Sequence, residues 1–326
     1  MKEIGGYFEL ELTTVQRSER FKSFIAVNSA RNALELIFSQ LVEKPRLVHL
    51  PAYTCDAVIA PLDRLKIPYR FYRINQNLEI PILPEVADDE YIIVNNYFGI
   101  KDTYVNSLAK EYGDRIIIDN AQALYSPAPK GIKAIYSLRK FVGIPDGGFA
   151  TGDFNTNMNL EKDYSWQNAI HLLRRLDETA SSAFESYKKS EFQLGEKPIR
   201  EMSQLSSSIL NSIDHNVIIE KRRQNFKNLH KAIGALNHMK LPRMDTFACP
   251  MVYPFWTDDN TLRQCLISAK IYVATYWPNV FNWCSPATIE YQLAKKIIPL
   301  PIDQRYSKKD MEKIINIIQK KHGSIN

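Results

Sequence analysis

The sequence predicts an α/β fold: a large domain with a mostly parallel central sheet, followed by a smaller C-terminal α+β domain. Three observations carry this. Segments that are apolar along their whole length alternate with helical segments over the first two-thirds of the chain, the pattern of a sheet covered on both faces. Polar and acidic residues end those segments, where open α/β sheets bind ligands. Beyond Leu241-Pro242 the pattern changes to short strands and helices. The expected boundary divides residues 1–238 from 239–326.

Taken in order, Asn28-Ser29 precedes a helix expected over 31–43, with Leu34, Leu36, Ile37 and Leu41 at roughly helical spacing. A strand over 46–50 closes at Pro51, and a helix over 55–65 follows. Strands are expected over 69–74 and 91–97, then a helix over 103–112. Residues 115–119 form a β-branched run that ends in the acid Asp119. Two strands, 134–141 and 148–152, flank the turn Pro145-Asp146-Gly147-Gly148. From about 159 to 236 the chain reads as mainly helical, broken near 195–198. The last unit should carry strands over 251–255 and 271–275 and helices over 261–269, 287–296 and 307–321.

Composition narrows the function classes. Lys plus Arg is 42 and Asp plus Glu is 36, a net charge of +6 over 326 residues. That lacks the dense basic character of a nucleic-acid binder. Hydrophobic residues at 45% and charged residues at 24% are those of an ordinary globular protein, which excludes intrinsic disorder and collagen-like structure. No run approaches the roughly 18 apolar residues of a membrane span. The start, Met1-Lys2-Glu3-Ile4-Gly5-Gly6-Tyr7, lacks the apolar core of a signal peptide, so a cytoplasmic protein is expected. Cys55, Cys249, Cys265 and Cys284 show neither a disulfide framework nor zinc spacing. The six histidines show no ligand spacing either, and no metal is expected.

The chemistry falls to residues at strand ends. Asp119 alone reads as a helix N-cap acid. Lys140, in Tyr136-Ser137-Leu138-Arg139-Lys140-Phe141, alone reads as a snorkelling side chain. Together they suit pyridoxal 5′-phosphate. A buried carboxylate keeps the pyridine nitrogen protonated, so the ring acts as an electron sink, and a lysine holds the aldehyde as an imine. Ser137 and the helix start at Ser29-Ala30-Arg31 offer donors for the phosphate. Arg243 and Arg305 have the bidentate geometry to grip a carboxylate, or else lie on the surface.

With these residues in place, the chain resembles the sugar aminotransferases of the DegT/DnrJ/EryC1/StrS family, pyridoxal-phosphate-dependent transferases of fold type I. Ser29-Ala30-Arg31-Asn32-Ala33-Leu34 resembles the family's phosphate turn, and Leu50-Pro51-Ala52-Tyr53-Thr54 its Pro-x-Tyr/Phe-Thr segment. Asn96-Tyr97-Phe98-Gly99, Ile118-Asp119-Asn120-Ala121-Gln122, and Lys140 followed by Pro145-Asp146-Gly147-Gly148 match further motifs in order. Arg222-Arg223-Gln224-Asn225-Phe226 resembles the family's Arg-x-x-Asn helix, and Leu300-Pro301 its C-terminal Leu-Pro.

The resemblance implies roles. Lys140 would carry the cofactor, Asp119 would pair with the pyridine nitrogen, and Gln122 would lie near the 3-hydroxyl. Ser29, Ala30 and Ser137 would hold the phosphate. Cys55 stands where the family often has a ring-stacking aromatic, leaving Tyr53 or Phe98 to substitute. Ser137 lies three residues before Lys140, against five in many members. Ile199-Arg200-Glu201-Met202-Ser203 lacks the asparagine that reaches the neighbouring subunit's phosphate, and Arg200 would replace it. The resemblance further implies a homodimer that transfers an amino group from an amino-acid donor such as glutamate. The acceptor would be a keto or aldehyde compound, such as a nucleotide-linked keto-sugar. The rival readings are a lyase or elimination enzyme on the same fold, and a cofactor-binding regulatory protein without turnover.

Overall fold

The computed structural model describes residues 8–13, 19–153 and 158–323. Residues 1–7, on which the expectation of no leader rests, lie outside them. Seven strands form one sheet: β1 (Ile25–Val27), β2 (Leu47–Pro51), β3 (Tyr69–Tyr72), β4 (Glu90–Asn95), β5 (Ile116–Asn120), β6 (Lys133–Ser137) and β7 (Gly148–Thr151). Their spatial order is β1-β7-β6-β5-β4-β2-β3. The pairings β3-β2, β2-β4, β4-β5 and β5-β6 are parallel. Only β6-β7 and β7-β1, at one side, are antiparallel. The mostly parallel sheet read from the sequence is the one observed.

Side chains alternate across this sheet, as strand geometry requires. Ile93, Ile117 and Ile135 join one apolar cluster, with Leu34 and Ile37 of α1 (Ala30–Ser39) and Leu62 of α2 (Ile59–Arg64). Ile92, Val94, Ile116 and Ile118 join the other, with Val105 and Leu108 of α3 (Asp102–Tyr112). That second cluster runs on into the C-terminal part of the chain. β5 is buried at every position, so its β-branched run reflects burial on both faces.

After β7 come α4 (Ile170–Asp177), α5 (Phe184–Glu196), α6 (Gln204–Asn211) and α7 (His215–Ile233). The helical reading of 159–236 holds, with a break after α5. The last part carries β8 (Val252–Trp256), α8 (Leu262–Ser268), α9 (Val280–Trp283), α10 (Ile289–Lys296), β9 (Ile297–Pro301) and α11 (Lys308–Lys321). α7 packs against α11 and β8. Among the described residues no helix is long and apolar enough to cross a membrane.

Two strand expectations are corrected. The strand over 134–141 ends at Ser137, because Leu138–Lys140 turn into a 3-10 helix; the N–H groups of Phe141 and Val142 donate to the Leu138 carbonyl at 2.9 and 3.0 Å. Residues 271–275 are not a strand. The partner of β8 is β9, Ile-Ile-Pro-Leu-Pro, antiparallel with Pro254 opposite Pro299. Prolines argue against a central strand, but in a two-stranded ribbon each strand is an edge, and an outward position needs no N–H.

The close approach of β7 to α1 fixes the edge that matters below. A Cβ added at Gly148 would lie 2.3 Å from the Ser29 carbonyl carbon and 2.4 Å from the Ala30 nitrogen. Both are backbone atoms, so neither can move aside alone. Gly148→Ala is therefore expected to destabilise the protein by about 1–3 kcal/mol, the range for overpacking a tight interior. The shift of the denaturant midpoint at unchanged slope measures it.

Candidate active site

The sheet register gathers the candidate residues. Ser137 pairs with Gly148, and Gly148 pairs with Val27, so Ser137 and the Ser29 turn stand on either side of one glycine. Asp119 pairs with Asn95 on one side and Ile135 on the other. All lie at the carboxyl edge of the parallel strands. Ser29 caps α1, its Oγ accepting from the Asn32 N–H at 3.0 Å. The first N–H groups of any helix have no partner within it, and they face a positive dipole end.

Asp119 is buried, and its Oδ1 accepts from the Ala121 N–H at 2.8 Å. Burial pushes the carboxyl above its ordinary value; the Lys140 ammonium and the Ala121 N–H pull it back. Gln122 is also buried. Its Oε1 accepts from the Phe98 N–H at 2.9 Å, whereas its Nε2 is buried with no partner. The turn holding that bond is strained: Phe98 has φ 56°, Gly99 has φ 69°, and a Cβ at Gly99 would lie 2.6 Å from the Cys249 carbonyl oxygen. Strain of this kind persists where the surroundings over-determine it.

Lys140 ends the turn after β6 and is exposed. It borders a cleft of about 620 Å³ between that turn, the α4–α5 hairpin and residues 303–305. Ser137 also lines the cleft; the more deeply placed Asp119 and Gln122 do not. Cys55 is half-buried; burial raises its thiol and Lys140 opposes the rise. Lys140 thus acts on Asp119 and Cys55 together. Among the described residues, no group of three or more His, Cys, Asp and Glu side chains is arranged to hold a metal ion.

The aromatics are placed less simply. Tyr53 is fully buried against Tyr97 and Trp277, with ring centroids 5.5 and 5.1 Å away, and its hydroxyl is unpartnered. Phe98 is fully buried, 6.1 Å from Tyr276. Burial pushes the Tyr276 hydroxyl up to about 12, with Tyr187 and Cys55 adding to the rise. The sequence reading missed Tyr276, because nothing near it in the chain points to the sheet edge.

Of the other expected groups, the Arg200 guanidinium pairs with Glu161 of its own chain at 3.3 Å. The Arg200 backbone N–H donates to Asn28 Oδ1 at 3.3 Å, beside the Ser29 turn. Arg243 is exposed and pairs with Asp245 at 2.6 Å. Arg305 lines the cleft with its fork on Asp303, at 2.7 and 2.9 Å.

No family model matches the sequence, and no curated protein matches it. Solved structures do. The aminotransferase TlmJ from Streptoalloteichus hindustanus matches at TM-score 0.64 and 14% identity, over 93% of this chain and 87% of that one. DesV from S. venezuelae, solved in complex with a ketimine intermediate, matches at 0.63 and 16%, over 93% and 85%. A DegT DnrJ EryC1 StrS aminotransferase from Brucella abortus matches at 0.61 and 17%, over 92% and 86%. At these identities the likeness is one of architecture, and the chain has the fold of the sugar aminotransferases, fold type I.

Proposed function

We propose that this protein is a pyridoxal-phosphate-dependent aminotransferase acting on a sugar. The carrying observation is the buried pair of Asp119 and Gln122 beside Lys140, at an edge that also presents Ser29, Ala30 and Ser137. These residues fit the cofactor. Gln122 Nε2 is a buried donor in want of an acceptor, which the ring 3-hydroxyl supplies. Asp119 is a buried carboxylate in want of a cation, which a protonated pyridine nitrogen supplies.

When bound, the cofactor supplies an electron sink for the substrate's α-carbon. The chain's own residues do the rest. Lys140 Nζ would hold the aldehyde, and its free amine would take a proton as base and return it as acid. The Asp119 carboxylate would hold the ring-nitrogen proton. Gln122, anchored through the Phe98 N–H, would offer its Nε2 to the ring. Five basic side chains line the cleft against the two acids Glu191 and Asp303. That balance favours an anionic acceptor, such as a nucleotide-linked keto-sugar, and a dicarboxylate donor such as glutamate. The four unpaired cysteines support a reducing compartment, the cytoplasm.

The reading includes a homodimer. Leu173 and Leu176 of α4 and Phe192 of α5 are exposed, Leu176 at 83% and Phe192 at 72%. Apolar side chains gathered on one hairpin mark an association surface. Sedimentation should give a dimer, and the double variant Leu173→Asp, Leu176→Asp a monomer. A monomeric unaltered protein would count against the dimer.

The protein loaded with cofactor should absorb in the visible and lose that band on addition of glutamate. Borohydride should label Lys140, and Lys140→Ala should take up cofactor without the covalent link; a label on another lysine would overturn the assignment. A lyase would instead release products from a single substrate without leaving the cofactor in its amine form.

Asp119→Asn should separate function from stability. Turnover should fall by orders of magnitude, since each 1.36 kcal/mol at the transition state is about tenfold. The cofactor-free variant should be the more stable one at neutral pH. The folded carboxyl lies above its unfolded value of 3.8, so below that value both states are protonated and the native residue costs nothing. As pH rises through the interval the unfolded chain ionises first, and the cost is complete above the folded value. Melting temperatures of both proteins across acid to neutral pH test the sign.

A further inference from the structure

The side chains of two arginines lie near the Ser29 turn with donors that nothing in the chain satisfies. Arg31 is the second residue of α1, and Arg139 lies between Ser137 and Lys140. Each has its Nε buried with no hydrogen-bond partner. α5 brings them together, Glu191 meeting Arg139 and Gly195 meeting Arg31; burial holds Arg139 below its ordinary value, Tyr187 and Asp146 oppose that, and the Arg31 guanidinium adds to it. Two like charges brought together out of water are costly unless an anion joins them.

The helix that packs over them has the matching face. On α5, Tyr187, Glu191 and Gly195 recur every four residues, one above the other. Glu191 pairs with the Nη2 of Arg139. Gly195 leaves room for Arg31, whose Nη1 would lie 2.7 Å from a Cβ placed there. The half-exposed Glu191 pairs with Arg139 and the buried Asp146 acts on it electrostatically, yet the Nε donors of both Arg31 and Arg139 remain unused. Ser137 and the unpaired N–H groups at the start of α1 border the same place.

We propose that Arg31 and Arg139 form the seat of the cofactor's phosphate within a single chain, so that the dianion is held in cis. The proposal rests on the cofactor reading above. A guanidinium is suited to this, because its forked donors match phosphate oxygens and it stays charged when desolvated. Arg200, tied to Glu161, is then not required for the phosphate.

The test compares pyridoxal phosphate with pyridoxal, which lacks the phosphate, by absorbance titration of the cofactor-free protein. Arg31→Gln and Arg139→Gln should each weaken pyridoxal phosphate roughly tenfold or more, the scale of a charge-assisted hydrogen bond, and leave pyridoxal affinity unchanged. Arg139→Lys, which keeps the charge but not the fork, should recover part of the loss; it also carries the test if Arg139→Gln fails to fold. Inorganic phosphate should raise the melting temperature of the unaltered cofactor-free protein and not of the Gln variants. Folded variants that hold pyridoxal phosphate as well as the unaltered protein, or that lose both ligands equally, would overturn the proposal alone. Failure of the unaltered protein to take up pyridoxal phosphate would overturn the cofactor reading with it.

Discussion

The site depends on a carboxylate placed where the fold gives it little help. β5 brings Ile116, Ile117 and Ile118 through the middle of the sheet and then sets Asp119, also buried, at its carboxyl end. One N–H reaches it at 2.8 Å, and the Lys140 ammonium acts on it electrostatically. Neither offsets burial, so the carboxyl stays above its ordinary value. A sheet with water on one face would not impose this, because water would solvate the acid. The all-apolar parallel strands that make the fold stable also make the acid demand a cation.

Around that acid the frame has little freedom. Asp146, wholly buried, accepts from the Ser203 N–H at 3.0 Å, from the Ser203 hydroxyl at 2.6 Å and from the Ser206 hydroxyl. It ties the Lys140 turn to the start of α6, whose cap is Ser203 itself. Gly148 lets the same turn lie against the backbone of Ser29 and Ala30. On the other side, the left-handed Phe98 points its N–H at Gln122. One buried side chain and two backbone arrangements thus position the Lys140 turn, the Ser29 turn and Gln122.

The large sheet was legible in the sequence because burial on both faces leaves continuous apolar runs. Asp119, Ser137 and Lys140 were legible as candidates because each ends or interrupts such a run, whereas Gln122 was reached only through the family resemblance. What escaped the reading depends on contacts between distant segments. β9 was hidden by its two prolines, which an edge tolerates. Residues 271–275 look strand-like but find no partner. Tyr276 reaches Phe98 from nearly two hundred residues away, and no local pattern announces it. Arg31 and Arg139 did have a signal, since each is a cation two residues after a serine at an element boundary. The fact that both lose their solvent under one helix appears only once α5 is in place.

The α4–α5 hairpin has a consequence for how the parts act together. One side of α5 carries Tyr187, Glu191 and Gly195, which meet the cleft and the two guanidiniums. Its Phe192 and the α4 residues Leu173 and Leu176 are turned out to solvent in the single chain. α4 buries only His171 and α5 only Ser190 and Leu194, so less packing holds this hairpin than holds the sheet. In the proposed dimer the outer side chains gain a second packed surface. Fixing the outside of the hairpin holds Glu191 over Arg139 and Gly195 over Arg31. Subunit contact and anion binding would then favour the same arrangement of one helix. Linkage makes that reciprocal: whatever association adds to cofactor affinity, the cofactor adds to association.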